Sequence, residues 1–361
     1  MAEETGQKTK RGGMLAALIP GMLALLGPLA AAAGGLAWLC PVAALPVGLL
    51  LCKVWEPLGV EGLPRGLGSA FGPWVGKILM GAYLGWSVVL LVWAAGRYAD
   101  RWMSVTPNEE ARWLILAVGL GLCLWLGRGK GVALVRAGEL FLLWAGAALA
   151  FALLLSLPAL DWKNLWPPEG AHWAGIPAGL AAVLSLNGLG IYGLCLPAGE
   201  AAGGSFRKTI AGCGVFGWLI LTVIGALGPA LAARGEEPFL LLLQGVAVPG
   251  AFRRGEAALM AALTLADWGL LSLLIWAGRN LWRELDPGLK GWGYWLPAAG
   301  AFLAAGVFSK QELQGALFEN WLVIGNLIFG IGVPTAAFLL KWGKRSMEKN
   351  ATCSGSQKQN Q

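Results

Sequence analysis

The chain has 361 residues, of which 57% are apolar and 13% charged, with a formal net charge of +7. The few charges cluster between long apolar runs, which excludes an ordinary soluble surface, and the basic excess follows the ends of those runs, so it needs no nucleic acid to explain it. Apolar runs near the 20 residues that span a bilayer as helix make this an all-α polytopic membrane protein, because hydrocarbon leaves every backbone N–H and C=O to be satisfied within the segment.

Residues 1–12 are polar and basic, and no small-residue cleavage site follows, so the first apolar run reads as a retained span. The uncharged run Met14–Cys52 covers 39 residues and holds two spans joined by a tight turn near Gly34-Gly35. Within Met14–Gly34 the pair Gly27-Pro28 lies near the centre. Gly there can close one half-helix and Pro suits the first turn of the next, so the first span is expected to be discontinuous. A Gly- and Pro-rich connection, Glu56–Pro73, has room for a short amphipathic piece. The third span, roughly Trp74–Tyr98 around the apolar run Ile78–Gly96, carries Tyr83 and Trp86 three residues apart on one face, a candidate cavity wall or a packing surface. The loop Ala99–Ala111 follows, with a turn signal at Thr106-Pro107. The fourth span, Trp113–Gly127, has only 15 uncharged residues. After Gly127-Arg128-Gly129-Lys130-Gly131, whose glycines lack P-loop spacing, Arg136 and Glu139 are placed for an i,i+3 ion pair that could latch a gate at the cytoplasmic mouth. The fifth span is Leu140–Leu160.

An interfacial loop with Trp162 and Trp166 leads to Ala174–Gly199, the sixth span. Its middle reads Ser185-Leu186-Asn187-Gly188-Leu189-Gly190-Ile191-Tyr192-Gly193, and clustered glycines weaken a helix interior by roughly 1 kcal/mol each. A second discontinuity is expected there, and two broken helices opening the two halves of a chain point to a binding site at mid-bilayer. Candidate ligand-binding residues are therefore Gly27, Pro28, Tyr83, Asn187, Gly188, Gly190 and Tyr192. Thr209–Ala233 is the seventh span. Pro238–Phe252 is too short to cross and is expected to lie on the outer face as a lid. In Ala257–Gly278, the eighth span, Asp267 sits near mid-depth, where an ionised carboxylate costs on the order of 3 kcal/mol to insert. It is either a hydrogen-bonded structural acid or a partner for a ligand ammonium, a cation or a proton. Gly291–Ser309 and Asn320–Leu340 complete ten spans, and 343–361 reads as a disordered tail.

With both termini in the cytoplasm, 19 of the 27 Lys and Arg fall on the cytoplasmic side, including Lys53, Arg136 and Arg207. Outer segments then hold eight, among them Arg97 and Arg101, and the asymmetry favours an even number of spans. Six Cys show no metal or disulfide spacing, and His172 is the one histidine, so the residues support neither a metal site nor an enzyme, and they call for no cofactor.

Gly76-Lys77-Ile78-Leu79 opening the third span, Thr106-Pro107, the Gly129-Lys130-Gly131 turn before Arg136-Ala137-Gly138-Glu139, and Asp161 before a Trp-Pro-Pro loop resemble the spore germination permeases. These are the B subunits of germinant receptors, within the amino acid, polyamine and organocation transporter superfamily. The resemblance covers nearly the whole chain. It implies one ten-helix domain over residues 1–342, built as two inverted five-helix repeats at about 14–160 and 174–342 with helices one and six unwound. It also implies an amino-acid-type ligand, the inner spore membrane, and partners in an A-type membrane subunit and a C-type lipoprotein, besides membrane lipid. The family often places a Gly-Glu pair within helix six; here Gly190-Ile191-Tyr192 stands in that neighbourhood and the nearest acid is Glu200. Three functions follow as expectations: a germinant-sensing permease-like subunit, a proton- or sodium-coupled amino-acid transporter, and a structural subunit whose glycines serve helix packing alone.

Overall fold

The computed structural model describes residues 17–104, 109–165, 173–196, 206–234, 237–245, 255–286, 288, 292–308 and 316–343. Among the described residues there is no strand. Nine helical segments among the described residues are long and apolar enough to cross a membrane, and a further apolar helix is shorter. In chain order they are α1 (Ile19–Leu36), α2 (Leu39–Glu61), α3 (Pro73–Met103), α4 (Ala111–Arg128), α5 (Gly131–Leu155), α6 (Trp173–Cys195), α7 (Thr209–Leu227), α8 (Leu259–Leu285), α9 (Trp295–Val307) and α10 (Asn320–Gly343). The chain is an all-helical integral membrane protein. The expectations for Met14, Thr106-Pro107, Trp166, His172, Glu200 and the tail beyond residue 343 lie outside the described residues, as does the part of the expected lid after Gly245.

Burial divides the helices into two classes. Through their most apolar 18 residues α1, α6 and α8 are 72, 72 and 83% buried by protein, whereas the same length of the other six long segments is 22–39% buried and turns most of its surface outward. Helices that are apolar all round suit the centre of a bundle, and those three form it. Within the bundle α8 packs against α3, α4 and α5, α7 against α2, and α10 against α6.

The central helices α1 and α6 are interrupted without being unwound. In α1 the α-helices Ile19–Ala24 and Leu26–Ala33 meet at Leu25, which keeps right-handed φ/ψ, and Leu25 and Leu29 still donate to Gly21 and Leu25 across the junction. The interruption therefore falls two residues before Gly27-Pro28. Pro28 is the third residue of the second half, where a missing N–H costs little. The expected hairpin turn is a 3₁₀ turn at Gly34–Leu36 that opens on Gly34 with φ 58°, a conformation that favours Gly. In α6 the α-helix Ile176–Gly190 tightens to a 3₁₀ helix over Ile191–Cys195, which begins inside the expected Ser185–Gly193 stretch and runs two residues past it.

The amphipathic piece in the α2–α3 connection is the helix Leu63–Phe71. At its other end α3 runs five residues past the expected Tyr98, and Arg97, Asp100 and Arg101 are buried helical residues instead of solvated loop charges. The lid region begins with the helix Pro238–Gly245, whose Phe239 and Leu242 are buried.

Candidate functional site

A cavity of about 470 Å³ opens between α1, α3, α6 and α10. The interrupted part of α1 forms one wall with Gly21, Ala24, Leu25, Pro28 and Ala32. Because Pro28 has no N–H, the Ala24 carbonyl cannot receive the usual i+4 helical bond, which leaves an acceptor on the helix that walls the cavity. Leu90 and Trp93 of α3 and Ala182, Ser185, Leu186 and Leu189 of α6 form further walls, and Asn320, Val323 and Asn326 of α10 close the ring. Among the described residues no charged side chain lines the space. The Ser185 hydroxyl donates to the Ala182 carbonyl at 2.7 Å. The Asn326 carbonyl oxygen accepts from Trp86 Nε1 at 3.0 Å, which orients its amide N–H groups as donors beside the cavity.

The floor is a dense crossing of α6 and α10. A Cβ on Gly188 would fall 2.5 Å from Asn326 Cα, and one on Gly330 would fall 2.5 Å from the Gly188 nitrogen, so the two backbones touch where only glycine fits. Here α10 widens into a π turn over Ile328–Gly332, with Val333 donating five residues back to Ile328. Pro334 explains where the free carbonyls go. Its nitrogen would serve Gly330 in an α-helical register or Phe329 in a π register, and it has no hydrogen for either. The Phe329 carbonyl instead accepts from Tyr83 OH at 2.6 Å, and the Gly330 carbonyl from Trp55 Nε1 at 3.0 Å. Tyr192 OH donates to the Tyr83 carbonyl at 2.8 Å, and the Trp86 ring stacks on Phe329 with 5.5 Å between centroids.

Above the cavity, four buried charges of α3 and its neighbours are paired. Arg101 and Asp267 form a salt bridge, 1 and 3% exposed. Arg97 Nη2 lies 2.9 Å from Glu237 Oε1, an ion pair without hydrogen-bond alignment. Arg112 bridges α4 to Asp100 at 2.6 Å and to the Ala305 carbonyl at 2.9 Å, and Trp102 Nε1 donates to Thr264 Oγ1 at 3.0 Å.

Of the residues proposed from sequence, Pro28 lines the cavity. Tyr83, Gly188 and Tyr192 belong to its floor, and Gly190 faces Trp55 with room for a Cβ 3.4 Å from Cη2. Gly27 is buried within α1, and Asn187 is half-buried with Nδ2 donating to the Leu184 carbonyl at 2.8 Å. Asp267 is outside the lining, because a carboxylate enclosed this deeply requires a counter-charge and Arg101 supplies it. The Arg136–Glu139 pair is also corrected: Arg136 projects outward as an exposed side chain, Glu139 Oε1 is buried without a hydrogen-bond partner, and no ion pair joins them. Sequence reasoning did not single out Asn320, Asn326 or Arg101. Two amides six residues apart in an otherwise apolar span were the available signal for the first two.

No family model matches the chain, and no curated protein sequence matches it. Among solved structures it is similar to the crystal structure of MhsT in complex with L-phenylalanine, with 14% sequence identity, 91% of this chain and 86% of that chain covered, and a TM-score of 0.55. A likeness at this identity is one of fold.

Proposed function

We propose that this chain is a permease-like membrane protein that binds a neutral amino acid in the cavity between α1, α3, α6 and α10. The carrying observation is the make-up of that cavity: a largely apolar pocket of about 470 Å³ with Ser185, Asn320 and Asn326 among its polar side chains and Pro28 on the interrupted central helix. An apolar enclosure with no charged side chain disfavours a ligand with an ionised side chain, whose desolvation would go uncompensated. It suits a ligand with an aliphatic or aromatic side chain, an ammonium group for backbone carbonyls near Ala24 and a carboxylate for the Asn326 amide. The fold shared with a protein solved in complex with L-phenylalanine supports the same class of ligand. On this reading the bundle is two inverted five-helix repeats, and the resemblance to spore germination permeases makes the chain a germinant-sensing subunit that acts with an A-type membrane subunit and a lipoprotein. The second reading, a coupled transporter, shares the binding site and requires the floor at Gly188, Tyr83 and Tyr192 to open during a cycle.

The test is equilibrium binding of labelled neutral amino acids to purified protein, followed by uptake in proteoliposomes and germination of spores lacking the gene. Ala182→Phe, which fills the cavity from α6, is expected to weaken binding at least about tenfold, equivalent to roughly 1.4 kcal/mol. Unchanged affinity in that variant overturns the site. Binding without uptake, together with a germination defect, supports sensing, whereas saturable uptake supports transport.

A further inference from the structure

A second concavity lies on the outside of the bundle, between α1, α5 and α7, with a volume of about 440 Å³. Ile19 and Met22 of α1 form part of its floor, and its walls run from Leu142 to Leu154 on α5 and from Ala211 to Trp218 on α7. The α5 wall is therefore roughly 18 Å long, slightly more than half of the hydrocarbon thickness. Two glycines keep it open. A Cβ added at Gly146 or Gly214 would meet nothing within 4 Å, so neither glycine is there for close helix packing, unlike Gly188 and Gly330 at the cavity floor. The groove faces the bilayer, where space of this length beside exposed Val215 and Trp218 is filled by hydrocarbon.

Charge at one end identifies which hydrocarbon. Arg207 is exposed and precedes Ala211, Val215 and Trp218 by four, eight and eleven residues, so it continues the groove-lining face of α7 at the end of the bundle that carries Lys53 and Arg136. From Arg207 to Trp218 the helix rises about 16 Å, close to the depth of one leaflet. Arg136 is likewise exposed at the same end of α5, the opposite wall, and among the described residues neither arginine forms an ion pair with a carboxylate. A single acyl chain accounts for the apolar length, and an anionic headgroup accounts for the arginines at its mouth.

We propose that this groove is a binding site for one anionic phospholipid, its acyl chain lying against Gly146 and Gly214 and its phosphate held by Arg207 with Arg136. The occupant contacts α1, the interrupted helix that also walls the amino-acid cavity, so the lipid touches the element a ligand-driven change would have to move.

The test uses full-length protein, delipidated in detergent, incubated with equimolar phosphatidylglycerol and phosphatidylcholine, and read by native mass spectrometry for lipid retained per protein. Wild type is expected to retain one phosphatidylglycerol in preference to phosphatidylcholine. Arg207→Gln should cut that preference about fivefold, the contribution of one basic side chain near an anionic lipid, while leaving chain-dependent retention. Gly214→Leu, which has room for its side chain, should lower retention of both lipids, with a monodisperse elution profile confirming that it folds. Equal retention of the two lipids by wild type, or retention in Gly214→Leu equal to wild type, overturns the proposal. So does a groove shown to be covered by another protein's helix, which would exclude lipid from wild type and variants alike.

Discussion

Asp267 and Arg101 lie 166 residues apart in sequence and form one fully enclosed pair. Asp267 was visible in the sequence as an acid in mid-span, but its partner was not. Arg101 sits at the start of Ala99–Ala111, which reads as an outer loop, and only the extra turn of α3 carries it inward. A ligand role for Asp267 calls for a charge without a counterpart, and Arg101 against it already supplies one. Removing one member of a buried pair leaves the other uncompensated, at a cost of about 3–5 kcal/mol, whereas replacing both by apolar residues of similar size is often neutral. Asp267→Asn is therefore expected to lower the melting temperature of the purified protein sharply, and Arg101→Met combined with Asp267→Leu to recover most of the loss. If Asp267→Asn melts with wild type and shows instead a selective loss of amino-acid binding, the pair is not what holds α3 to α8.

At the scale of the helix, α10 shows how one residue sets the positions of others on distant helices. Tyr83 and Trp86 share a face, as their spacing indicates, and that face meets α10: Tyr83 through the Phe329 carbonyl and Trp86 through Asn326. The face was legible; that its hydroxyl serves a carbonyl orphaned by Pro334 was not, because the two segments are 246 residues apart. Tyr83→Phe leaves a buried carbonyl unpaired, which costs about 1–3 kcal/mol. Pro334→Ala restores an N–H for the same carbonyls, so in a double-mutant cycle Tyr83→Phe should cost less on the Pro334→Ala background than alone. Strict additivity of the two melting shifts would separate the tyrosine from the proline. The glycines of α6 divide in the same way. Gly188→Ala would push a methyl to within 2.5 Å of the Asn326 backbone, while Gly190→Ala meets Trp55 at 3.4 Å. Overpacking against backbone costs typically 1–3 kcal/mol, so Gly188→Ala is expected to destabilise measurably and Gly190→Ala to be nearly silent. Their clustering in sequence suggested an opened helix; in the structure Gly188 serves the crossing with α10.

Over the whole molecule, two kinds of contact bind the helices around the cavity, the backbone crossing of α6 with α10 and the buried ion pairs at the end of α3, and they differ in what loosens them. The apolar helices and the interruptions in helices one and six were readable from apolar length and glycine-rich runs, since a spanning helix has a set length and must satisfy its backbone internally. The Arg97–Glu237 pair was not, since it joins the end of α3 to the start of a separate short helix. Glu237 stands immediately before Pro238–Gly245, and Arg97 holds it at 2.9 Å while Phe239 and Leu242 are buried alongside α1 and α7 residues. The second half of α1, which includes Pro28 and Ala32 of the cavity wall, therefore shares a core with the segment that Arg97 tethers. Glu237→Gln removes the charge and keeps the shape, and the buried Arg97 then loses the carboxylate it pairs with. The expected result is faster hydrogen exchange over Leu240–Gly245 and faster dissociation of a bound amino acid, with little change in exchange at the α6–α10 crossing. Exchange that rises equally at both contacts would mean the bundle loosens as one unit, whereas a change confined to Leu240–Gly245 makes the Arg97–Glu237 pair a latch on that helix.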